Sequence, residues 1–253
     1  MTLSLTQIYR HPVKGLTPEA LDRVELTPGE GLPFDRRWAV AHGATRFDPA
    51  DPQWLPKTNF LMLMRDERLA KLRTRYDEAS GVFTVERDGK TVARGNLDDQ
   101  TGRTILEQFF AAYMKTEARG APRIVSAPGH MFSDVAAKVV SIIGRASIQD
   151  LERVTRAHID GRRFRANLYF EGGRPWEEFG WVGKRIRIGG TTLEGVKTIT
   201  RCAATNVNPE TAERDLNIPL ALQDGFRHVT MGIYARVIEG GPIAVGDTIG
   251  PAD

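Results

Sequence analysis

The sequence has little with which to build a metal or redox centre from protein side chains alone. Cys202 is the single cysteine among 253 residues, so the chain by itself forms no intrachain disulfide, no CxxC zinc site and no cysteine-ligated iron–sulfur cluster. The five histidines are scattered, without the HxH, HxxxH or HExxH spacing of a histidine metal site. The motifs GxSxG, GxGxxG and GxxxxGK[ST] are also absent, which removes the usual support for a hydrolase, a nicotinamide enzyme or a nucleoside triphosphatase.

Long apolar runs and an excess of one charge are missing as well. No run approaches the roughly 20 apolar residues of a membrane-spanning helix. The start, MTLSLTQIYRHPVKG, lacks the basic-then-apolar order of a secretory signal. The net charge is only +3, with Lys and Arg residues spread among acids. These absences predict a cytoplasmic protein with no membrane association and no nucleic-acid partner.

The sequence does contain many short runs of β-branched and aromatic residues, separated by glycine and proline. LSLTQIYRHPV, ALDRVELTP and FDRRWAVAHG come first, and LRTRYDEASGVFTVERDGKTVARG alternates with period 2 around two turn signals. FRANLYFEG, KRIRIGGTTLEGVKTITRC, HVTMGIYARVIEGG and AVGDTIG follow in the second half. The pattern predicts antiparallel strands in the first part and a closed or strongly curved sheet in the second.

Two segments predict helices. TGRTILEQFFAAYM places its large apolar residues at helical spacing, which indicates a helix from Asp98 to Met114 at the end of the first domain. ASIQDLERV indicates a second helix with Ser147 at its N-cap and Asp150 three residues later, a variant of the capping box. The N-terminus of such a helix is a ready anion site.

Cys202 is the first candidate for chemistry. It follows an apolar-alternating strand in TITRCAATNVNP and precedes an Asn-Pro turn signal, and a strand end beside a loop commonly displays functional groups. A lone cysteine is also often a small buried hydrophobe. The residues alone leave both interpretations open.

Candidates for binding an anion are spread along the chain. Arginine forks and a helix N-terminus offer fixed N–H donors that suit a phosphate. The same residues could be ordinary surface charges, because spacing in sequence does not show that they converge. The candidates are Lys14, Arg36, Arg37, Ser147 and Arg165.

Taken in order, these blocks resemble a known family. IYRHPVKG and GLPFDRRWAV are similar to the N-terminal β-barrel domain found before MOSC domains, in which a PVK turn and a DRxW strand recur. FSDVAAKVVSIIGRASIQDL, FRANLYFEG, WVGKRIRIGG, RCAATNVNP and MGIYARVIEGGPIAVGDTI follow the order of the MOSC domain itself. The resemblance spans nearly the whole chain and is greatest to bacterial relatives of the mitochondrial amidoxime-reducing component.

The resemblance implies a β-rich α+β fold in two domains. An N-terminal β-barrel-like domain, residues 1–118, is expected to pack on a MOSC-type β-barrel with a few short helices, residues 119–253. The implied cofactor is the molybdenum cofactor, with Cys202 as metal ligand and catalytic residue. Arg36 is preferred to Arg37 because it directly follows Asp35, as in the family's motif. The residues implied around the cofactor are Lys14, Arg36, Ser147, Arg165, Asn167 and Arg201.

The same resemblance implies a function. The chain would reduce an N-hydroxylated or other N-oxygenated small molecule by two electrons, supplied by a separate flavin or iron–sulfur protein. The alternative is a carrier that binds the cofactor, or its sulfur, without turnover, because MOSC domains also occur at the end of cofactor sulfurases. A third hypothesis is a barrel that binds another phosphorylated ligand and needs no metal.

Two turns in the second half of the sequence differ in what they predict. The Asn208-Pro209 turn is followed by ETA where family members often have Thr-Gly, which leaves the shape of the loop next to Cys202 open. Asp247 in the closing VGD block is expected to be structural, since an acid in a Gly-Asp turn most often bonds nearby backbone.

Overall fold

Strands dominate the fold, as the sequence patterns predict. The computed structural model describes residues 2–252 and contains fifteen strands and three α-helices over that range. Among these residues, no helix combines the length and the apolar character needed to cross a bilayer. The strands are Ser4–Arg10 (β1), Glu19–Leu21 (β2), Arg23–Leu26 (β3), Ala39–Ala41 (β4), Leu72–Asp77 (β5), Val82–Arg87 (β6), Lys90–Asn96 (β7), Arg123–Val125 (β8), Val140–Gly144 (β9), Leu168–Glu171 (β10), Arg185–Ile188 (β11), Thr191–Thr200 (β12), Thr230–Glu239 (β13), Gly241–Ala244 (β14) and Ile249–Pro251 (β15). The helices are Gln100–Met114 (α1), Arg145–Thr155 (α2) and Ile218–Phe226 (α3).

One long sheet forms a barrel. Eight strands are hydrogen-bonded in the order β15-β11-β12-β13-β9-β10-β1-β2. β1 is also hydrogen-bonded to the residues just before β15, at the other end of this order. Leu5 N donates to Asp247 O and Gly246 N donates to Leu5 O, both at 2.8 Å. These bonds close the curved sheet that the second half of the sequence predicts. The Asp247 side chain accepts from Ala244 N at 2.8 Å, so its predicted bond to nearby backbone is confirmed.

The alternation of side chains along the strands separates two apolar cores. Leu5, Ile142 and Leu168 are fully buried in the cluster formed by the barrel strands. Ile143, the next residue along β9, belongs instead to a cluster with Leu222, in which α2 and α3 pack against the other face of the sheet. Adjacent residues of a strand point to opposite faces, so one strand serves both cores.

The N-terminal half builds a further core around α1. Strands β5, β6 and β7 form an antiparallel sheet, and the buried Leu106 and Phe110 of α1 pack with Trp38 and other residues of this half. The helix predicted from Asp98 begins at Gln100. Its N-cap is Asp99, whose side chain accepts a hydrogen bond from Gly102 N at 2.6 Å.

The two halves of the chain share strands. β1 pairs with β10 in the long sheet, and β2 lies at the edge of that sheet next to β1. β3 pairs antiparallel with β14. A cut near residue 118 therefore separates strands that are hydrogen-bonded to each other. The β-rich α+β fold is confirmed, whereas the predicted domain boundary between residues 118 and 119 stays a prediction.

Candidate functional site

One cavity gathers most of the residues singled out by the sequence. It has a volume of about 380 Å³ and lies where the end of β12, the segment before β10 and the turn after β1 meet. Six of the seven predicted site residues line it, and the seventh, Ser147, does not. The six are Lys14, Arg36, Arg165, Asn167, Arg201 and Cys202.

Cys202 is held at the cavity wall by a short turn. Its carbonyl oxygen accepts hydrogen bonds from Thr205 N at 3.0 Å and from Thr205 Oγ1 at 2.9 Å. Its Sγ accepts a hydrogen bond from Lys57 Nζ at 3.2 Å. Burial lowers the pKa of Lys57, but Asp134 and then Cys202 outweigh burial and raise it. The ammonium group is therefore retained beside the sulfur.

Two partly buried arginines are fixed around the cavity. Arg36 forms an ion pair with Asp35, and Arg36 Nη2 donates to the carbonyl oxygen of Arg165 at 2.9 Å. Burial would raise the pKa of Asp35, but Arg36 and His11 hold it below its usual range. Arg165 Nη1 donates to Leu16 O at 2.7 Å, whereas the buried Arg165 Nη2 has no hydrogen-bond partner within residues 2–252. Burial and then Arg36 lower the pKa of Arg165 to about 9, so this guanidinium stays charged at neutral pH.

Arg201 adds a third guanidinium. Its Nε and Nη2 donate to Met231 O at 2.9 and 2.6 Å, and its Nη1 donates to Phe164 O at 2.8 Å. All of these acceptors are neutral carbonyl groups. Burial is the main cause that lowers the pKa of Arg201. Its charge is therefore positioned by backbone and is not neutralised by these contacts.

Asp134 connects two lysines of the cavity. Lys14 Nζ donates to Asp134 Oδ1 at 2.5 Å and to Phe132 O at 2.9 Å. Lys57 Nζ lies 3.7 Å from Asp134 Oδ2. Burial would raise the pKa of Asp134, but the two lysines and then Arg36 lower it to about 2. Burial also lowers the pKa of Lys14, against the opposing effect of Asp134.

Lys57 and Asp134 were missed by the sequence reasoning. The contact between Lys57 and Cys202 joins residues 145 positions apart, and no local motif surrounds Lys57. Asp134 lies within the FSDVAAK block that carries part of the family resemblance. An acidic residue in a block shared with a cofactor-binding family was the available signal.

Asn167 lines the cavity, but its amide already has protein partners. Its Oδ1 accepts from Ser141 N at 3.1 Å and from Ser141 Oγ at 2.8 Å, and its Nδ2 donates to Tyr9 O at 3.1 Å. These bonds tie the segment before β10 to β9 and β1. The contacts explain how Asn167 shapes the wall, and its role as a cofactor ligand stays a prediction.

Comparison with protein families accounts for the arrangement along the chain. The MOSC N-terminal beta barrel domain matches residues 2–127, and the MOSC domain matches residues 127–250. The chain belongs to the MOSC family. The family expected from the sequence blocks is thus confirmed. The two matches meet at residue 127, beyond the predicted boundary at 118.

Several relatives of this MOSC protein have named functions. Molybdenum cofactor sulfurase from Solanum lycopersicum is 24% identical over 275 residues, covering 92% of this chain and 33% of the sulfurase. Mitochondrial amidoxime-reducing component 1 from Mus musculus is 27% identical over 120 residues, covering 43% of this chain and 35% of that protein. The chain thus spans about a third of the length of these curated relatives. The crystal structure of the YUAD protein from Bacillus subtilis covers 98% of this chain and 94% of its own, at 13% identity and a TM-score of 0.48.

The loop after the cysteine keeps a left-handed turn in this MOSC protein. Ala212, the last residue of the ETA stretch, has a φ of 60° and is buried. Ala212 N donates to Asn208 O at 2.9 Å, which closes the turn. A left-handed conformation favours glycine over alanine, so Ala212 adopts it at some cost. Asn208 N also donates to Glu213 O at 2.7 Å, which holds the two ends of the turn together.

Ser147 does not have the predicted position. The N-cap of α2 is Gly144, because β9 runs directly into the helix, and Ser147 lies fully buried inside the first turn. Its hydroxyl donates to Glu178 Oε2 at 2.8 Å and accepts from Trp176 N at 2.8 Å. Glu178 Oε1 also accepts from Gly144 N at 3.3 Å. The N-terminus of α2, a position suited to an external anion, is therefore occupied by a carboxyl group of the protein itself.

Glu178→Gln is expected to remove a pH dependence of stability. Burial raises the pKa of Glu178 from 4.5 to about 7, although its hydrogen bonds oppose this. A raised acid pKa means that folding favours the protonated form, so stability is full below about pH 4.5 and falls as pH rises to about 7. The loss is on the order of 3 kcal/mol. Urea unfolding at pH 5 and pH 8 should show wild type losing stability relative to Glu178→Gln; an unchanged difference between the two proteins would show that Glu178 does not titrate in this window.

The donor set at Cys202 restricts the kind of metal centre. Across residues 2–252, no group of three or more His, Cys, Asp or Glu side chains could hold a metal ion. Cys202 thus offers one soft sulfur ligand, beside cations that repel a bare metal ion. A metal that arrives with its own anionic ligand set fits these residues.

Proposed function

We propose that this MOSC protein binds the molybdenum cofactor in the cavity at Cys202 and reduces N-hydroxylated or other N-oxygenated compounds. The observation that carries the proposal is one cavity with a thiol and a buried arginine nitrogen, Arg165 Nη2, that lacks an acceptor. The name of one relative, molybdenum cofactor sulfurase, supports this cofactor, and the name of another, amidoxime-reducing component, supports the reaction. The chain spans about a third of the length of those proteins, so the reductase activity is proposed for this chain and is not inferred from their names alone.

The cations of the cavity suit the phosphate of such a cofactor. Guanidinium groups offer planar pairs of N–H donors to phosphate oxygens. Arg165 and Arg36 would hold the phosphate, with Lys14 and Arg201 adding positive charge. Charges withdrawn from water are costly unless they are paired, and the partly buried Arg165 and Arg201 form no ion pair within the described residues. A bound anion would stabilise the protein at this point.

Cys202 would hold the metal through its sulfur. When bound, the cofactor supplies a molybdenum centre that exchanges two electrons, and a thiolate is a soft ligand suited to it. Lys57 donates a hydrogen bond to this sulfur and so fixes its direction. Outer contacts of this kind orient a ligand and tune a metal site.

The proposed reaction breaks an N–O bond. With an N-hydroxylated compound, the nitrogen takes up two electrons and one proton, and the hydroxyl group leaves as water with a second proton. The electrons come from a separate flavin or iron–sulfur protein, because the single cysteine of this chain cannot ligate a cluster. The predicted cytoplasmic location and the small-molecule substrate remain part of this proposal.

A carrier of the cofactor or of its sulfur is the second candidate. It is favoured by the match to a molybdenum cofactor sulfurase over 92% of this chain. Benzamidoxime reduction with dithionite-reduced methyl viologen separates the two functions. The reductase turns over with this donor, whereas a carrier holds the cofactor without turnover.

Arg165→Met is expected to lower the amount of bound cofactor by about tenfold or more. A hydrogen bond to a charged group contributes roughly 1.5–3 kcal/mol, and each 1.4 kcal/mol is tenfold in affinity. Molybdenum should be measured by elemental analysis, and pterin by fluorescence, in protein made in cells that produce the cofactor. Arg37→Met is the matched control, because Arg37 is exposed and outside the cavity.

The two variants separate the hypotheses. Near-stoichiometric molybdenum in wild type and Arg37→Met, with a loss in Arg165→Met, supports the proposal. If wild type contains neither molybdenum nor pterin, the cofactor proposal is wrong and the phosphorylated-ligand hypothesis takes its place. Equal cofactor content in all three proteins would show that Arg165 does not contribute to cofactor binding.

A further inference from the structure

Lys197 and Tyr234 face one another across two strands of the cavity wall. They are register partners in the antiparallel pair of β12 and β13, and directly opposite residues of such a pair lie on the same face of the sheet. An irregularity between Gly195 and Lys197 shifts the register at this point, and bulges of this kind re-aim side chains. Both residues line the cavity that contains Cys202, with Thr198 and Thr200 of the same strand.

This wall presents a cation that the protein does not neutralise. Lys197 is exposed and forms no ion pair in the part of the chain that the structure describes. By contrast, Lys14 and Lys57 of the same cavity share Asp134. Burial raises the pKa of Tyr234, although Arg201 opposes this, so its hydroxyl remains a hydrogen-bond donor. Lys197 and Tyr234 line the same cavity, and an ammonium group and a hydroxyl group can together bind one carboxylate.

A second anion bound by Lys197 would lie next to the one assigned to the partly buried arginines, because the charges of Arg201 and Arg36 also act on the Tyr234 hydroxyl. Arg36 and Arg165 interact with each other on the segments around Asp35 and before β10, whereas Lys197 lies on β12. A lysine at an accessible wall is a flexible point charge, which suits a ligand that enters and leaves. Permanent binding of a cofactor phosphate would use the fixed, partly buried guanidinium groups instead.

The rest of the wall includes apolar side chains with a high share of methionine. Methionine is flexible and polarizable, so it packs against apolar groups of varied shape and against aromatic rings. A ligand body between this surface and Lys197 would be apolar, with its charge at one end. The apolar residues are Met62, Leu63, Met64, Met131, Val135 and Val139.

We propose that Lys197, together with the Tyr234 hydroxyl, binds a carboxylate of the substrate, so that apolar N-oxygenated compounds carrying a carboxylate are preferred. The N-oxygenated part of this statement rests on the proposed function. The binding of an apolar carboxylate at Lys197 does not depend on turnover. Lys197 is in this view a specificity-determining residue.

The test is the preference for benzoate over benzamide, which differ in charge and share the apolar ring. Affinities should be measured by calorimetry on protein purified from cells that make the cofactor. Wild type is expected to prefer benzoate, and Lys197→Met is expected to reduce that preference about fivefold, as for a partly exposed ion pair. Lys197→Arg should keep most of it. Lys184→Met is the matched control, since Lys184 is exposed and outside the cavity.

The outcomes separate the inference from the proposed function. The inference is supported if the preference for benzoate falls only in Lys197→Met. The preference should also weaken from 50 to 500 mM salt, because added salt screens an interaction between exposed charges. Equal binding of benzoate and benzamide by wild type, or an unchanged preference in Lys197→Met, overturns the inference. If no variant reduces benzamidoxime, the proposed reductase function is wrong. The benzoate measurement still tests whether Lys197 binds a carboxylate.

Discussion

Cys202→Ser is expected to lower benzamidoxime reduction by at least about 100-fold and to remove most of the bound molybdenum. Loss of a partner that only orients a metal ligand costs about 10–100-fold, and loss of the ligand itself should cost at least as much. A serine oxygen is a harder donor than a thiolate sulfur and suits such a metal less well. Steady-state rates with a chemical electron donor and elemental analysis of the same preparations provide the measurement.

The fold of Cys202→Ser should be unchanged. Cys202 is only partly buried, and its turn depends on the backbone bond from Thr205 N at 3.0 Å. A hydroxyl can accept the hydrogen bond from Lys57 that the sulfur accepts now, so the free energy of unfolding should stay within about 0.5 kcal/mol. Ala204→Ser is the control, because it adds a hydroxyl to the cavity wall and keeps the thiol. Full activity and full molybdenum content in Cys202→Ser would exclude Cys202 as the ligand.

Local patterns were enough to predict most of the architecture. The period of apolar residues marks β1 and the pair of β5 and β6, and the helical spacing marks α1 to within two residues of its start. The α3 helix was missed, although Asn217 as N-cap and Pro219 in the first turn are start signals in the sequence. Its run of small and apolar residues has no strong polar face, so periodicity alone did not reveal it.

The convergence of the candidate site could not be predicted from spacing. Arg36 donates to the Arg165 carbonyl oxygen across 129 positions, and Lys57 donates to Cys202 across 145. These contacts exist because the closed barrel brings the turn after β1 to the ends of β10 and β12. The family resemblance supplied candidate residues, and the fold supplied the reason why six of them line one cavity.

The predicted N-cap position of Ser147 is wrong although a helix does begin near it, and its role as a cofactor ligand stays a prediction. The helix N-terminus is occupied, but by the carboxyl group of Glu178, 31 positions after Ser147. Sequence alone cannot show that such an internal partner is present. Arg165 differs from Ser147 in this respect, because its Nη2 has no internal hydrogen-bond partner within residues 2–252.

Gly102→Ala is expected to destabilise the protein by about 3 kcal/mol, the upper part of the range for overpacked cores. Alanine is normally favoured over glycine in a helix by about 1 kcal/mol, so the expected sign is the reverse of the usual one. A Cβ at Gly102 would lie 2.2 Å from Asn96 N and from Asn96 O, and a Cβ at Gly95 would lie 2.3 Å from Gly102 O. These contacts are with backbone atoms, which cannot rotate away as a side chain can.

Gly180→Ala provides the matched control for this effect. A Cβ at Gly180 meets no atom within 4 Å, so the variant should be neutral or more stable by up to about 1 kcal/mol through a less flexible unfolded chain. Thermal unfolding of both variants measures the difference, with a midpoint roughly 10 °C lower for Gly102→Ala. Equal midpoints would mean that α1 and β7 can move apart at little cost. A loss confined to Gly102→Ala would show that the close approach of the α1 and β7 backbones holds the N-terminal core, and that glycine is required there by contact rather than by conformation.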